Sequence, residues 1–128
     1  MRTWTNDFFI LKDKTIVIID TDTLLLEVLN IALHQEGYNV ILTSDYHAVM
    51  DIVKQQDPEM VIVEYRLRSD EGRKLCKQLR TFNNQLILLA LSSSVDIKLV
   101  YAKEGFDGYI SKPFELDIFF DTVNSFFS

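Results

Sequence analysis

The chain has 128 residues, 48% hydrophobic and 25% charged, and a formal net charge of −6. This composition is typical of one globular domain and argues against nucleic-acid binding, which usually requires a basic face. No run approaches the roughly 18 apolar residues that predict a membrane span, and residues 8–11 are too short an apolar run for a signal peptide. The single cysteine, Cys76, excludes an intramolecular disulfide, so we expect a cytoplasmic protein with no membrane or nucleic-acid partner.

Residues 1–14 precede the first clear strand and are interpreted as an extension ahead of a domain at residues 15–128. Trp4, Phe8 and Leu11 recur at helical spacing and would align on one face of a helix. Two interpretations stay open for this segment. It is either a short piece that packs on its own domain or an arm that binds a partner.

From Thr15 onward, apolar runs alternate with helical patterns. The predicted strands are 15–20, 39–43, 60–64, 85–91 and 108–111, and the predicted helices lie at about 24–36, 45–56, 73–80, 95–104 and 115–127. Five strands that are each followed by a helix predict right-handed crossovers and a parallel sheet with helices on both faces. The fold class is therefore α/β, with one doubly wound domain.

The apolar spacing also predicts which helix faces are buried. The inner stripe of the first helix would be Leu25, Val28, Leu29 and Ala32, and that of the last helix Leu116, Phe119, Phe120, Val123 and Phe127. Ile118 and Leu99 would point to the opposite side of their helices. Isolated exposed apolar residues are normal, so these two are either ordinary surface residues or part of a contact.

Polar side chains follow four of the predicted strands: Asp20, Glu64, Ser92 and Lys112. In an open parallel sheet the carboxyl ends of the strands share one edge, where binding sites form. Two carboxylates would suit a divalent cation such as magnesium, and a hydroxyl and an ammonium beside a carboxylate would suit a phosphoryl group. Taken singly, each residue is equally typical of a strand that ends in solvent.

Short motifs follow one another along about residues 15–127. They are Ile16-Val17-Ile18-Ile19-Asp20, Glu36-Gly37-Tyr38, Asp57-Pro58, Glu64 with Gly72 eight residues later, Ala90-Leu91-Ser92, and Gly105-Phe106-Asp107-Gly108-Tyr109-Ile110-Ser111-Lys112-Pro113-Phe114. This ordered set resembles the receiver domain of two-component response regulators. The resemblance implies a flavodoxin-like fold with strand order 2-1-3-4-5 and a site between strands one and three.

The resemblance also implies a role for individual residues. Glu64 occupies the position of the phosphorylated aspartate, Ser92 that of the hydroxyl that meets the phosphoryl group, and Lys112 that of its cationic partner. Tyr109 matches the aromatic switch position. The Lys112–Pro113 bond matches the usual site of a cis peptide.

The implied magnesium site departs from the family pattern. Asp20 matches the first acid of the metal-binding pair, and Glu64 and the backbone carbonyl of Arg66 match further ligands. Thr21 stands where the second acid is usual, and Asp22 is the candidate to replace it. The side chains of Arg66 and Arg68 are expected to be solvated, with anion binding as the alternative. Magnesium binding is thus expected to be weak or lost, and no organic cofactor is predicted.

Glu64 is longer than the family's aspartate by one carbon–carbon bond, about 1.5 Å. A misplacement of about 1 Å in a reacting group can lower a rate about 10²-fold. The longer side chain also carries a charge of −1 toward the place of a phosphoryl group, whose own charge is about −1.5 to −2. These departures predict an atypical, stand-alone receiver that acts by protein–protein interaction, with at most residual phospho-acceptance and autodephosphorylation.

Two alternatives remain. The chain is a phosphorylation-competent, magnesium-dependent receiver that accepts a phosphoryl group from a histidine kinase, or a flavodoxin-like domain whose strand-end acids do nothing. The expected partners are signalling proteins, such as a histidine kinase or a separate output protein. In this family the face made by the fourth helix, fifth strand and fifth helix is the usual docking surface, which implies a monomer or a homodimer with Leu99 and Ile118 in the contact.

Overall fold

A computed structural model describes residues 13–127 of the chain. The strands are β1 (Thr15–Ile19), β2 (Asn39–Thr43), β3 (Met60–Glu64), β4 (Ile87–Ser92) and β5 (Gly108–Ser111). The helices are α1 (Thr23–Gln35), α2 (Val49–Gln56), α3 (Glu71–Phe82), α4 (Ile97–Val100) and α5 (Leu116–Ser125), with a 3₁₀ turn at Tyr46–Ala48. Within residues 13–127, no helix has both the length and the apolar character needed to cross a bilayer. The predicted helical face of Trp4, Phe8 and Leu11 lies outside the described residues.

The five strands form one parallel sheet in the order β2-β1-β3-β4-β5, which confirms the predicted fold class and strand order. Strands and helices alternate along the chain, as in the doubly wound α/β class. In the β3–β4 pair Ile62 lies opposite Leu89, and in the β4–β5 pair Leu91 lies opposite Ile110. All five residues of β3 are buried, which is why this strand reads as a continuous apolar run.

The chain divides between Glu59 and Met60 into two compact units. In the first unit, β1 pairs with β2, and the side chain of Glu59 accepts a hydrogen bond from the Thr15 amide at 2.7 Å. The helix α1 is capped by Asp22, whose Oδ1 accepts from the Leu25 amide at 3.1 Å. Gly37, with φ of 94°, supplies the left-handed residue that ends this helix.

The buried face of α1 differs from the prediction. Leu26, Leu29, Ala32 and Leu33 are buried, whereas Val28, predicted to be in the core, is 45% exposed. The reason is that α1 carries apolar residues on nearly every side, so apolar spacing alone does not identify the face that packs on the sheet. Leu29 and Ala32 are buried as predicted, whereas Leu26 and Leu33 take the places predicted for Leu25, which is half-buried, and Val28.

In the second unit, α5 packs through Phe119 and Val123, which are fully buried. Leu116, predicted to share that stripe, is 39% exposed. It is the first residue of α5, and the buried stripe begins one turn later at Phe119. The ring of Phe119 lies 5.1 Å from that of Phe114, so the loop before α5 is held by the same aromatic core.

The fourth helix is shorter than predicted. The pattern predicts a helix over about 95–104, but α4 spans only Ile97–Val100 and is followed by turns. Some of its hydrogen bonds are of the 3₁₀ type, since the Leu99 amide donates to the Asp96 carbonyl, three residues back, at 2.9 Å. Ile97 is the one buried residue of α4, and most helical stability in proteins comes from packing of a buried face.

Cys76 lies on the packed side of α3, where it is 1% exposed. Burial is the main cause that raises the pKa of its thiol from 9.0 to about 11. A thiol held protonated and out of solvent is a poor nucleophile, so Cys76 fits a structural role rather than a reactive one.

We expect iodoacetamide to alkylate Cys76 slowly in the native protein and rapidly in urea, as followed by intact mass. The raised pKa also gives a pH dependence, because the unfolded thiol loses its proton as pH passes 9 while the folded thiol keeps it up to about 11. The stability of the native chain relative to Cys76→Ala should therefore fall between pH 9 and 11. Equal labelling rates with and without urea would contradict the buried placement.

Candidate functional site

The acidic turn after β1 belongs to the first unit and contains three of the predicted site positions. Asp20 is fully buried, and its Oδ1 accepts from the Asp22 amide at 2.8 Å. Asp22 is exposed, and its own Oδ1 caps α1 through the Leu25 amide. Thr21 between them is exposed. The turn therefore holds one buried carboxylate, while the candidate replacement acid, Asp22, serves as a helix cap.

The second unit carries the remaining predicted positions at the carboxyl ends of β3, β4 and β5. The backbone aligns these ends, because the Tyr65 amide donates to Leu91 O at 2.9 Å and the Lys112 amide donates to Ser92 O at 2.8 Å. The ladder thus continues one residue past β3 and β5. This continuation fixes where Glu64 and Lys112 lie along the carboxyl edge of the sheet.

The carboxylate of Glu64 is only 7% exposed, and two cationic groups contact the same oxygen. Its Oε2 lies 3.2 Å from Nη2 and 3.3 Å from Nε of Arg66, and 3.6 Å from Nζ of Lys112. A buried carboxylate is costly unless it is paired, and these contacts supply the pairing. Glu64 and Lys112, which the resemblance connects, are thus brought together in the structure.

The Arg66 side chain is 59% exposed, as expected of a solvated group, but it also pairs with an anion. Its guanidinium donates from two nitrogens to Glu64 Oε2. Residues i and i+2 of an extended chain point to the same side, so the spacing of Glu64 and Arg66 is the signal from which this pair could have been inferred.

The hydroxyl of Ser92 and the ring of Tyr109 make other contacts. Ser92 is 1% exposed, and its Oγ accepts from the Ser94 amide at 3.1 Å, which organises the loop after β4. Tyr109 is partly buried on β5, and its ring centroid lies 5.0 Å from that of Tyr101. Both residues are therefore held by neighbours within the second unit. The Lys112–Pro113 peptide bond is cis, as the resemblance implies.

A charged network beside Glu64 was not predicted from the sequence. Arg73 on α3 donates to the buried hydroxyl of Tyr65 at 3.2 Å, to Glu104 Oε2 at 2.6 Å and to Asp70 Oδ1 at 2.9 Å. The hydrogen bond to Glu104 is the main cause that raises the pKa of Arg73 above its usual range. The chain after Glu64 is thereby tied to the segment that follows α4. Arg73 and Glu104 are 31 residues apart, and no local pattern pairs residues at that separation.

The carboxylates of Glu64 and Asp22, each within its own unit, already have protein partners. Among residues 13–127, no group of three or more His, Cys, Asp or Glu side chains is placed to hold a metal. The Oε2 atom of Glu64 already faces two cationic groups, and the Oδ1 atom of Asp22 accepts from a helix amide. A metal ion at either carboxylate would have to compete with these protein donors for the oxygen atoms.

Gly72, in the first turn of α3, lies against the backbone of the site. A Cβ atom added there would stand 2.8 Å from the carbonyl oxygen of Glu64 and 3.4 Å from Tyr65 Cα. Backbone atoms cannot move aside as the end of a flexible side chain can. The absence of a side chain at Gly72 is therefore what lets α3 approach the end of β3.

Comparison with known proteins identifies similar domains. The family model described as "Response regulator receiver domain" matches residues 16–124. The N-terminal domain of the nisin resistance regulator NsrR, a lantibiotic response regulator, is 23% identical with a TM-score of 0.79, over 89% of this chain and 97% of that chain. A putative response regulator from Chloroflexus aurantiacus J-10-fl is 25% identical with a TM-score of 0.79, over the same shares. The response regulator TrrA from Thermotoga maritima, solved in complex with Mg²⁺-BeF, is 18% identical with a TM-score of 0.77, over 88% and 97%.

We expect Gly72→Ala to destabilise the protein by about 1–3 kcal/mol, because overpacking against backbone forces a shift of α3. The better helix propensity of alanine, about 1 kcal/mol, opposes this loss and should not overcome it. Urea denaturation measures the change, with Lys77→Ala on an exposed position of the same helix as a control that stays within about 0.5 kcal/mol. A stabilised Gly72→Ala variant would contradict the close approach.

Proposed function

Because the chain belongs to the family of response regulator receiver domains and is a receiver of two-component signalling, we propose that it is an atypical member in which Glu64 replaces the phosphorylated aspartate. It acts by binding a signalling protein, such as a histidine kinase or a separate output protein, in the cytoplasm. Its binding to that protein is independent of phosphorylation, or depends on it only weakly.

The contact between Glu64 and Lys112 is the observation that carries this proposal. Resemblance assigns Lys112 to a phosphoryl group, yet its ammonium already lies 3.6 Å from a carboxylate oxygen. Arg66 adds a second positive charge on the same oxygen at 3.2 Å. The carboxylate supplies a charge of −1 where a phosphoryl group would supply about −1.5 to −2, so it is a partial and permanent substitute.

The same contacts disfavour phosphoryl transfer onto Glu64. In-line transfer depends on positioning of the acceptor oxygen and on neutralisation of charge by metal ions. Here Oε2 is directed at Arg66 and Lys112, and Thr21 replaces one carboxylate of the implied metal pair. The Mg²⁺-BeF complex of TrrA supports magnesium binding in that relative, whereas this chain lacks one of the acids we would assign to such a site. We propose that magnesium binding is weak or lost.

The proposed docking surface is formed by α4, β5 and α5, all within the second unit. Leu99 is 78% exposed on α4 and Ile118 is 57% exposed on α5. Beside Ile118 is a cavity of about 460 Å³ that Tyr109, Pro113 and Phe114 help to line. An exposed apolar side chain at the edge of such a cavity is typical of a protein contact. Because Tyr109 lines it, the aromatic switch position would sense an occupant directly.

The first experiment is incubation with magnesium and acetyl phosphate, followed by intact mass. We expect no adduct on the wild type, because Glu64 is misplaced as an acceptor and the metal site lacks an acid. Glu64→Asp restores the aspartate at the acceptor position. The double variant Thr21→Asp with Glu64→Asp also restores the second acid of the implied metal pair. An adduct should therefore form in the double variant if it does not form in the single one. Glu64→Gln serves as a control of similar size without an acceptor charge.

An adduct on Glu64 of the wild type would overturn the proposal in favour of a phosphorylation-competent receiver. Thermal unfolding of each variant shows whether a missing adduct reflects an unfolded protein. If the folded double variant also stays unlabelled, Ser92 and Lys112 would not support the reaction.

The docking surface is tested with a second copy of the chain as the probe. We expect concentration-dependent self-association in sedimentation velocity, and its loss in Ile118→Glu because the charge is buried on contact. Ile31→Glu is a matched control, since Ile31 is 62% exposed on α1 and lies in the first unit. Equal weakening by both changes would indicate a general charge effect, and a monomer at every concentration would contradict a homodimer.

A further inference from the structure

The strand β2 lies at one edge of the sheet and belongs to the first unit. Within residues 13–127 it pairs with β1 and with no other strand. An unpaired strand edge can add another extended chain, and proteins usually prevent this with a charged residue, a proline, a bulge or a very short strand. Residues Asn39–Thr43 contain no charged residue and no proline, and five consecutive pairs with β1 leave no bulge. The other edge strand, β5, has only four residues and runs directly into Lys112–Pro113, so β2 is the less protected edge.

The backbone of β2 presents hydrogen-bonding groups at this edge. The Asn39 amide donates to Lys14 O at 3.0 Å, and the carbonyl of Thr43 accepts from the amide that follows β1 at 3.2 Å. The first and last residues of β2 thus face β1. Backbone groups along a strand point to its two sides at alternate residues, so those of Val40 and Leu42 face away from β1. These two residues offer two N–H and two C=O groups to an added strand.

The charge of the first unit indicates which kind of chain can use this edge. Residues 1–59 contain ten acidic and four basic residues, and residues 60–128 contain nine of each, so the formal charge of −6 falls entirely within the first unit. Residues 15–53 include six acidic residues and no lysine or arginine. Two copies joined at β2 would bring two such acidic units together, and this repulsion opposes self-pairing. A positively charged extended segment is favoured instead.

Acidic residues also flank β2 at both ends. Glu36 lies three residues before Asn39 and is partly exposed, and Asp45 lies two residues after Thr43 and is exposed. Between its first and last Cα atoms, a five-residue strand spans about 13 Å. An added strand of that length with a cationic residue at each end would carry one positive charge toward each of these acids. The core of such a strand is best filled by β-branched residues, which favour extended backbone.

We propose that the open edge of β2 binds an extended, positively charged segment of another protein, which adds to the five-stranded sheet as a further strand. The N–H and C=O groups of Val40 and Leu42 supply the hydrogen bonds, as in peptide recognition by strand addition. The acidic surround, which includes Glu36 and Asp45, selects segments flanked by lysine or arginine. This site lies in the first unit and uses no residue of the proposed docking surface.

The probe is a fluorescein-labelled peptide, Lys-Thr-Val-Thr-Val-Thr-Lys, titrated with the full chain and followed by fluorescence anisotropy. Its sequence reads the same in both directions, so the test covers parallel and antiparallel addition alike. We expect saturable binding that weakens severalfold when salt is raised to about 0.5 M, because salt screens exposed charges. Amide hydrogen exchange, measured by NMR, should slow at Val40 and Leu42 and change little at Asn39, which already donates to Lys14 O.

Two variants block the edge in different ways. Val40→Pro removes an N–H group that faces away from β1, and Leu42→Lys places a positive charge on the edge. Both should weaken peptide binding severalfold more than the matched control Ile31→Lys, which makes the same charge change at an exposed apolar position of α1 in the same unit. Far-UV circular dichroism with thermal unfolding verifies that each variant is folded, and Leu42→Lys carries the test if the proline variant is not.

Four results would overturn the proposal. Absence of saturable binding to the wild type would show that the edge does not add a strand. Binding that every folded edge variant retains would place the peptide elsewhere. Equal binding of Glu-Thr-Val-Thr-Val-Thr-Glu would exclude selection by charge. Self-association that Leu42→Lys weakens and Ile118→Glu does not would make a second copy the occupant of β2. Phosphorylation of Glu64 has no bearing on the peptide readouts, so their outcome is independent of the proposed function.

Discussion

The pairing of a buried carboxylate with two cations is the constraint on which the site depends. Glu64 ends a strand in which every residue is buried, so its charge leaves the sheet in a place with little water. A charge in such a place requires a partner, and Lys112 and Arg66 both contact its Oε2 atom. The pairing connects the ends of β3 and β5. It also engages the ammonium of Lys112, the group that the resemblance assigns to contact with a phosphoryl group.

Two arginines on α3 hold the chain segments around this point. Arg73 connects Tyr65, directly after Glu64, to Glu104. Arg80 donates to Leu86 O at 2.6 Å, to Gly105 O at 2.9 Å and to Asp107 Oδ2 at 2.8 Å. Planar guanidinium groups suit such multiple contacts because their donors have a fixed geometry. The segment between α4 and β5 is therefore fixed by side chains of α3 rather than by a long helix of its own.

This arrangement connects the site to the proposed docking surface within the second unit. Glu104 and Gly105 lie between α4, which carries Leu99, and β5, which carries Tyr109. A change in the pairing of Glu64 would act on Tyr65 and on Lys112, which lie at the two ends of this connection. If Glu64 replaces the phosphorylated residue, as we propose, a bound protein rather than phosphorylation would alter this connection.

The sequence by itself determined the fold class, through apolar runs of strand length, an Asp22 cap and a stop at Gly37. The strand order came from the family resemblance carried by the ordered motifs around Glu64, and the structure has the same order. The tertiary structure alone decided which side of α1 is buried, where α4 ends and which groups Glu64 contacts. Leu24 to Ile31 is apolar on nearly every side, and α4 buries only Ile97, so local pattern does not settle either question. Arg73 and Glu104 meet across 31 residues, and only packing of α3 against the sheet, which Gly72 allows, brings such distant charges together.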